Sequence, residues 1–139
     1  MILTAKEIRN RVDADWNGIL DVVKHRIALK AISSQGIAGE HMRRSAEYVA
    51  SLLQEVGVDA RAVQATGADS QPGAWEVIGS LTVDPEAPTV LLYAHHDVQP
   101  VPDAGEWDTD PFTGTQVGDR LYGRGACDDA GGIDIHYGA

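Results

Sequence analysis

Two short segments hold the residues best suited to chemistry: Ala94-His95-His96-Asp97 and Gly123-Arg124-Gly125-Ala126-Cys127-Asp128-Asp129. On an extended chain, residues two apart project to one face, so His95 and Asp97 can act together while His96 points the opposite way. An imidazole that ligates a metal needs its second ring N–H held by an acceptor, and a nearby carboxylate is a common choice. His95 therefore reads as a metal ligand and Asp97 as the group that orients it. The same spacing also fits two polar residues closing a strand. In the second segment, glycines permit a close backbone approach that larger residues block. Two successive carboxylates after such a turn repel unless cations neutralise them. One carboxylate can bridge two metal ions lying about 3.5–4 Å apart, one oxygen to each. The alternative is an ordinary acidic turn.

Other chemistries fail on spacing. A dinucleotide fingerprint starting at Gly123-x-Gly125 needs a third glycine at position 128, where Asp128 stands. Asp108-Thr109-Asp110 begins like a calcium loop, but Phe112 and Thr113 occupy the positions that need Asp or Asn and then Gly. Cys127 reads as a small residue in a tight turn rather than a thiolate ligand or nucleophile. His25 and His41 lie in helical patterns and read as surface or packing residues. His136 is a further candidate ligand.

Charge placement favours a cation site. The 139 residues hold 11 Lys+Arg against 21 Asp+Glu, a formal net charge of −10. Residues 1–83 carry 10 acids and 9 bases, whereas residues 84–139 carry 11 acids and only Arg120 and Arg124. Most acidic runs are solvated faces, but this excess falls on the stretch that bears both clusters. A pI near 4.7 argues against nucleic acid and against an anionic membrane face. No apolar run approaches the roughly 20 residues of a membrane span. The single cysteine excludes an internal disulfide. With no signal-like apolar block in Met1–Asn10, these features predict a soluble, cytoplasmic protein.

The elements that must position the two clusters are legible in outline. Thr4-Ala5-Lys6-Glu7 has capping-box spacing, and Ile8, Val12, Ile19, Val22, Val23 and Ile27 follow at helical intervals, with a bend allowed at Asn17-Gly18. A second helix is predicted from about Glu40 to Val56, with Met42, Ala46, Val49, Leu53 and Val56 on one face and Gly57 closing it. Val58–Val63 and Trp75–Val83 are strand candidates on either side of a polar turn region at Thr66–Gly73. Thr89-Val90-Leu91-Leu92-Tyr93 is a continuous apolar, β-rich run, as in a strand covered on both faces. Gly118-Asp119 between Thr115–Val117 and Arg120–Tyr122 signals a hairpin, and Gly132–His136 begins a further helix. The pattern predicts an α/β layered fold.

Three ordered blocks carry a resemblance to a known family: Leu91-Leu92-Tyr93-Ala94-His95-His96-Asp97-Val98-Gln99-Pro100, Trp107-Asp108-Thr109-Asp110-Pro111-Phe112, and Arg120-Leu121-Tyr122-Gly123-Arg124-Gly125-Ala126-Cys127-Asp128-Asp129. Together they resemble the di-zinc peptidases that include carnosine dipeptidases, carboxypeptidase G, acetylornithine deacetylase and succinyl-diaminopimelate desuccinylase, and most of all the dipeptidase branch. Residues 1–88 match that family mainly in layout. The resemblance implies the N-terminal portion of a three-layer α/β/α catalytic domain with a mixed, mostly buried sheet. It also implies two zinc ions per complete site, with cobalt or manganese as substitutes. His95 would bind one zinc, Asp97 would orient it, Asp128 would bridge both, and the Asp128–Asp129 peptide would be cis. The substrate would be a short peptide or N-acyl amino acid, and the complete protein a homodimer.

Two positions depart from the family pattern: Ala130 stands where Lys is frequent, and His96 where Tyr is common. The family's general-base glutamate, its remaining ligands and its dimerisation domain lie further downstream, and only eleven residues follow Asp128. Residues 1–139 are therefore expected to be catalytically incompetent alone. The alternative is a non-catalytic fragment, or a simple metal-binding or interaction module using His95, His96, Cys127 and His136.

Overall fold

The computed structural model describes residues 3–138; Met1, Ile2 and Ala139 lie outside the described residues, including the first two positions of the segment searched for a signal-like block. Helix α1 spans Ala5–Ala28. It starts where the capping box predicts. The Glu7 N–H donates to the Thr4 hydroxyl, and the Thr4 N–H donates to the Glu7 carboxylate at 2.8 Å. The helix crosses Asn17-Gly18 without interruption. Only its last turns are buried, through Val23, Arg26 and Ile27, while Ile8 and Trp16 remain half exposed.

Helix α2, Glu40–Glu55, buries Met42, Ser45, Ala46, Val49, Ala50 and Leu52. Gly57 follows in the left-handed region, at φ +90°, where a side chain would be strained. Strands β1 (Asp59–Thr66) and β2 (Pro72–Ser80) form an antiparallel pair in register from Asp59 opposite Ser80 to Gln64 opposite Trp75, with a break before Thr66. Both strands pack on α2, and the Gln54 side-chain amide donates to the Ala60 carbonyl at 2.7 Å. A second pair, β3 (Thr115–Val117) and β4 (Arg120–Tyr122), turns at Gly118, whose φ is +62°. Helix α3, Ala130–Gly138, closes the described chain. Its Ala130 and Ile133 are buried against Val49 of α2, with Leu53, Val77 and Ala94 packed around them.

The helix-and-strand class is as expected, but the sheet differs from the one anticipated. Among the described residues, the strands form two separate two-stranded antiparallel sheets rather than one mixed, mostly buried sheet. The predicted central strand, Thr89–Tyr93, belongs to neither. It carries no strand pairing, and Leu91 is 90% and Tyr93 77% exposed. A doubly covered strand needs neighbours on both edges and layers on both faces, and no described element supplies them here. Pairing begins only at Val98, in a single parallel bridge with Ile32. There the Val98 N–H donates to the Ala31 carbonyl at 2.8 Å.

Candidate metal site

The segment that leaves the exposed run enters the interior at Ala94 and is pinned on two sides. His96 points away from His95, as the alternation requires. Its Nδ1 lies 3.0 Å from the Ser45 hydroxyl on α2, and its Nε2 lies 2.9 Å from the Trp75 carbonyl on β2. With Nε2–H donating to that carbonyl, Nδ1 accepts from Ser45. His96 thus ties the segment to both elements and has no nitrogen free for a metal.

His95 faces the other way, toward the turn that precedes α3. Its Nδ1 lies 3.1 Å from the Asp97 carboxylate and 3.1 Å from the Asp97 backbone carbonyl. Two acceptors at one nitrogen hold the proton on Nδ1, which leaves the Nε2 lone pair of the neutral ring outward. Nε2 lies 3.4 Å from an Asp128 carboxylate oxygen. The Asp128 side chain is 86% exposed, so its oxygens remain open to a ligand. Asp129 has a different role, accepting the His95 backbone N–H at 3.3 Å. The Asp128–Asp129 peptide bond is cis, in agreement with the family resemblance. Burial pushes the His95 imidazole down. The Asp97 carbonyl and the carboxylates of Asp97, Asp129 and Asp128 outweigh it and leave the group raised above its ordinary value.

Close approach makes the arrangement possible. Gly125, at φ +82°, lies so near Val98 that a Cβ there would overlap Val98 Cγ1. Gly132 in the first turn of α3 lies against Ala94, where a Cβ would meet the Ala94 Cβ at 3.0 Å. The two glycines press the aspartate turn onto the histidine segment.

The structure therefore brings His95, Asp97 and Asp128 together. It does not bring the other candidates to them. His136 Nε2 lies 3.3 Å from the Tyr93 carbonyl, and among the described residues no three His, Cys, Asp or Glu side chains, Cys127 included, are grouped to hold a metal. Together with the turned-away His96, this removes the simple module of His95, His96, Cys127 and His136. His25 stacks on Tyr48 at 4.4 Å, and His41 Nε2 lies 3.0 Å from the Ile32 carbonyl, so both serve packing as expected. Sequence reasoning missed Asp129 as a brace and the buried pair Arg26–Asp134. The signal for that pair was a charge inside an apolar stretch on each side: Arg26 beside Val23 and Ile27, and Asp134 between Ile133 and Ile135.

The donor set suits a borderline cation. Zinc takes imidazole nitrogen and carboxylate oxygen at about 2.0–2.2 Å, and two such ligands at tetrahedral angles sit about 3.4 Å apart. The Nε2–Oδ1 separation in the structure is 3.4 Å. Among the described residues, however, no group of three or more His, Cys, Asp or Glu gathers around one point. Two donors fit a metal, but they are only part of a complete coordination shell.

Residues 91–137 match the model of the peptidase family M20/M25/M40. The chain is 30% identical over 137 residues to the β-Ala-His dipeptidase of Rattus norvegicus, covering 94% of this chain and 28% of that one. It is 50% identical over 56 residues to the Cys-Gly metallodipeptidase of Schizosaccharomyces pombe, covering 40% of this chain and 12% of that one. The crystal structure of human carnosine dipeptidase 1 superposes with a TM-score of 0.81 at 29% identity, over 95% of this chain and 29% of that chain. The chain thus spans less than a third of the length of these relatives. The family match over residues 91–137 takes in the whole histidine–aspartate cluster, so this stretch is similar to the peptidase family M20/M25/M40.

Proposed function

We propose that the chain is the N-terminal part of the catalytic domain of a zinc-dependent, dipeptidase-like hydrolase that cleaves the amide bond of short peptides or N-acyl amino acids. The observation that carries the reading is the His95–Asp97–Asp128 constellation, with Nε2 outward and a carboxylate oxygen 3.4 Å away. The dipeptidase names of its relatives and the family match around that constellation support it. His95 and Asp128 would hold the metal, and Asp128 has a second oxygen with which to reach a second ion. The chemistry such ions supply when bound is polarisation of an amide carbonyl and activation of water near neutral pH.

The chain's own residues prepare that chemistry without completing it. Asp97 keeps the proton on Nδ1, so His95 presents its lone pair at Nε2. Asp129 fixes the backbone of His95 and leaves Asp128 free. The general base, the remaining ligands and a homodimer interface belong, in this reading, to the rest of a longer protein. The exposed apolar run Thr89–Tyr93 is where that remainder would pair and pack. A cytoplasmic location fits the acidic composition and single cysteine.

Calorimetric titration with zinc tests the site. His95→Ala and Asp128→Ala should each abolish the tightest binding event, and undiminished affinity in both would overturn the proposal. Residues 1–139 alone should not hydrolyse dipeptides. Zinc-dependent hydrolysis lost in His95→Ala would show that the chain is sufficient and that the division of labour proposed here is wrong.

A further inference from the structure

Arg26 of α1 and Asp134 of α3 form a bidentate pair, with Nε to Oδ1 at 3.2 Å and the terminal nitrogen to Oδ2 at 2.5 Å. Their side chains are 2% and 8% exposed. Both charges are withdrawn from water and held in one planar geometry, which a guanidinium and a carboxylate define more sharply than any apolar contact. The helix they clamp has little intrinsic stability, since Gly131 and Gly132 occupy its first turn. Ala130 and Ile133 hold α3 against α2, but smooth apolar contacts of this kind allow a short helix to rotate or slide. The pair supplies what they lack. It ties α3 to α1, five residues beyond Asp129.

The start of α3 is continuous with the metal-site turn. The Gly132 N–H donates to the Asp129 carbonyl at 2.7 Å, and Asp129 in turn holds the His95 amide. A rotation of α3 therefore moves the Asp128 carboxylate relative to His95 Nε2. We infer that Arg26 and Asp134 are positioning residues for the metal site, acting through α3 to hold Asp128 at ligand distance from His95. This inference rests on the reading of His95 and Asp128 as metal ligands.

The test separates positioning from stability. Removing one partner strands a buried charge and unfolds or weakens the chain, whereas a matched apolar pair is often neutral or stabilising. The double variant Arg26→Met/Asp134→Leu should keep the helical circular dichroism and the melting temperature of the parent. Its zinc affinity should fall about 10- to 100-fold, as for loss of other groups that orient ligands. A folded double variant with parental zinc affinity overturns the inference. If that variant does not fold, Arg26→Lys keeps the charge and loses the fork. It should then fold and bind zinc about tenfold more weakly, and parental affinity would overturn the inference.

His95→Ala runs alongside as the control for the underlying reading. If His95→Ala leaves zinc affinity unchanged, the metal-site reading itself fails. The placement of α3 is then decided on the metal-free double variant, or on Arg26→Lys if the double variant does not fold. The Gly132 amide should exchange about tenfold faster than in the parent while interior α2 amides keep their rates. Equal Gly132 exchange overturns the inference.

Discussion

Asp97 and Asp128 are both carboxylates near one imidazole, yet they should respond differently to substitution. Asp97 acts on Nδ1 and Asp128 faces Nε2. Asp97→Ala is therefore expected to weaken zinc binding about 10- to 100-fold without abolishing it, whereas Asp128→Ala removes a donor. Competition with a chromophoric chelator resolves the two cases, and equal losses would make Asp97 a ligand itself. Gly125→Ala should destabilise the fold by about 1–3 kcal/mol in urea unfolding, because the methyl group meets Val98 and the backbone sits at positive φ. At this scale the sequence was informative where partners are near in the chain. The alternation of His95, His96 and Asp97 correctly assigned opposite faces, since it is a local consequence of an extended backbone. Asp129, 34 positions from His95, and Arg26, 108 positions from Asp134, were legible only as charges without evident partners.

Helices α1 and α2 were predicted nearly to the residue because their signals are local: a capping box before one and a left-handed glycine after the other. Glu7 gives the first a pH signature. Its carboxyl is held below the usual carboxylate range by hydrogen bonds from the Thr4 backbone N–H and hydroxyl. A group lowered on folding stabilises fully above its unfolded value, and that stabilisation is lost as pH falls through the lowered folded value. Nuclear magnetic resonance titration should show the Glu7 midpoint below that of an exposed glutamate, with α1 fraying from Thr4 as it protonates. A Glu7 midpoint equal to that of a glutamate in an unstructured peptide would contradict the capping geometry. In α2, Leu52 is buried although Leu53 was expected on the inner face and is only partly buried. Leu52→Ala should cost about 2–5 kcal/mol in chemical unfolding.

The largest departure from expectation concerns the whole molecule. The run Thr89–Tyr93 has the composition of a central strand but is exposed and unpaired in this chain. Leu91→Lys should therefore change the stability of residues 1–139 by no more than about 0.5 kcal/mol, as at other exposed positions. It should also reduce binding of a dye that reports apolar surface. A large loss of stability would mean that Leu91 is packed in solution. Among the described residues no helix is long and apolar enough to cross a membrane. Unpaired edges and apolar runs of this kind promote association. The net charge of −10 opposes it.

By itself the sequence determined what depends on neighbours along the chain: the start of α1, the extent of α2, the hairpin at Gly118, the opposed faces of His95 and His96, and the acidic bias of the second half. Tertiary structure alone decided three further things. It set His95 Nε2 opposite Asp128, it made Asp129 a brace, and it buried Arg26 against Asp134. The physical reason is separation. Helix caps and strand alternation follow from bond geometry within a few residues, whereas the pairing of distant charges depends on how α1, α2 and α3 pack. The fate of Thr89–Tyr93 belongs to the same class, because an apolar run becomes a buried strand only where other elements cover it.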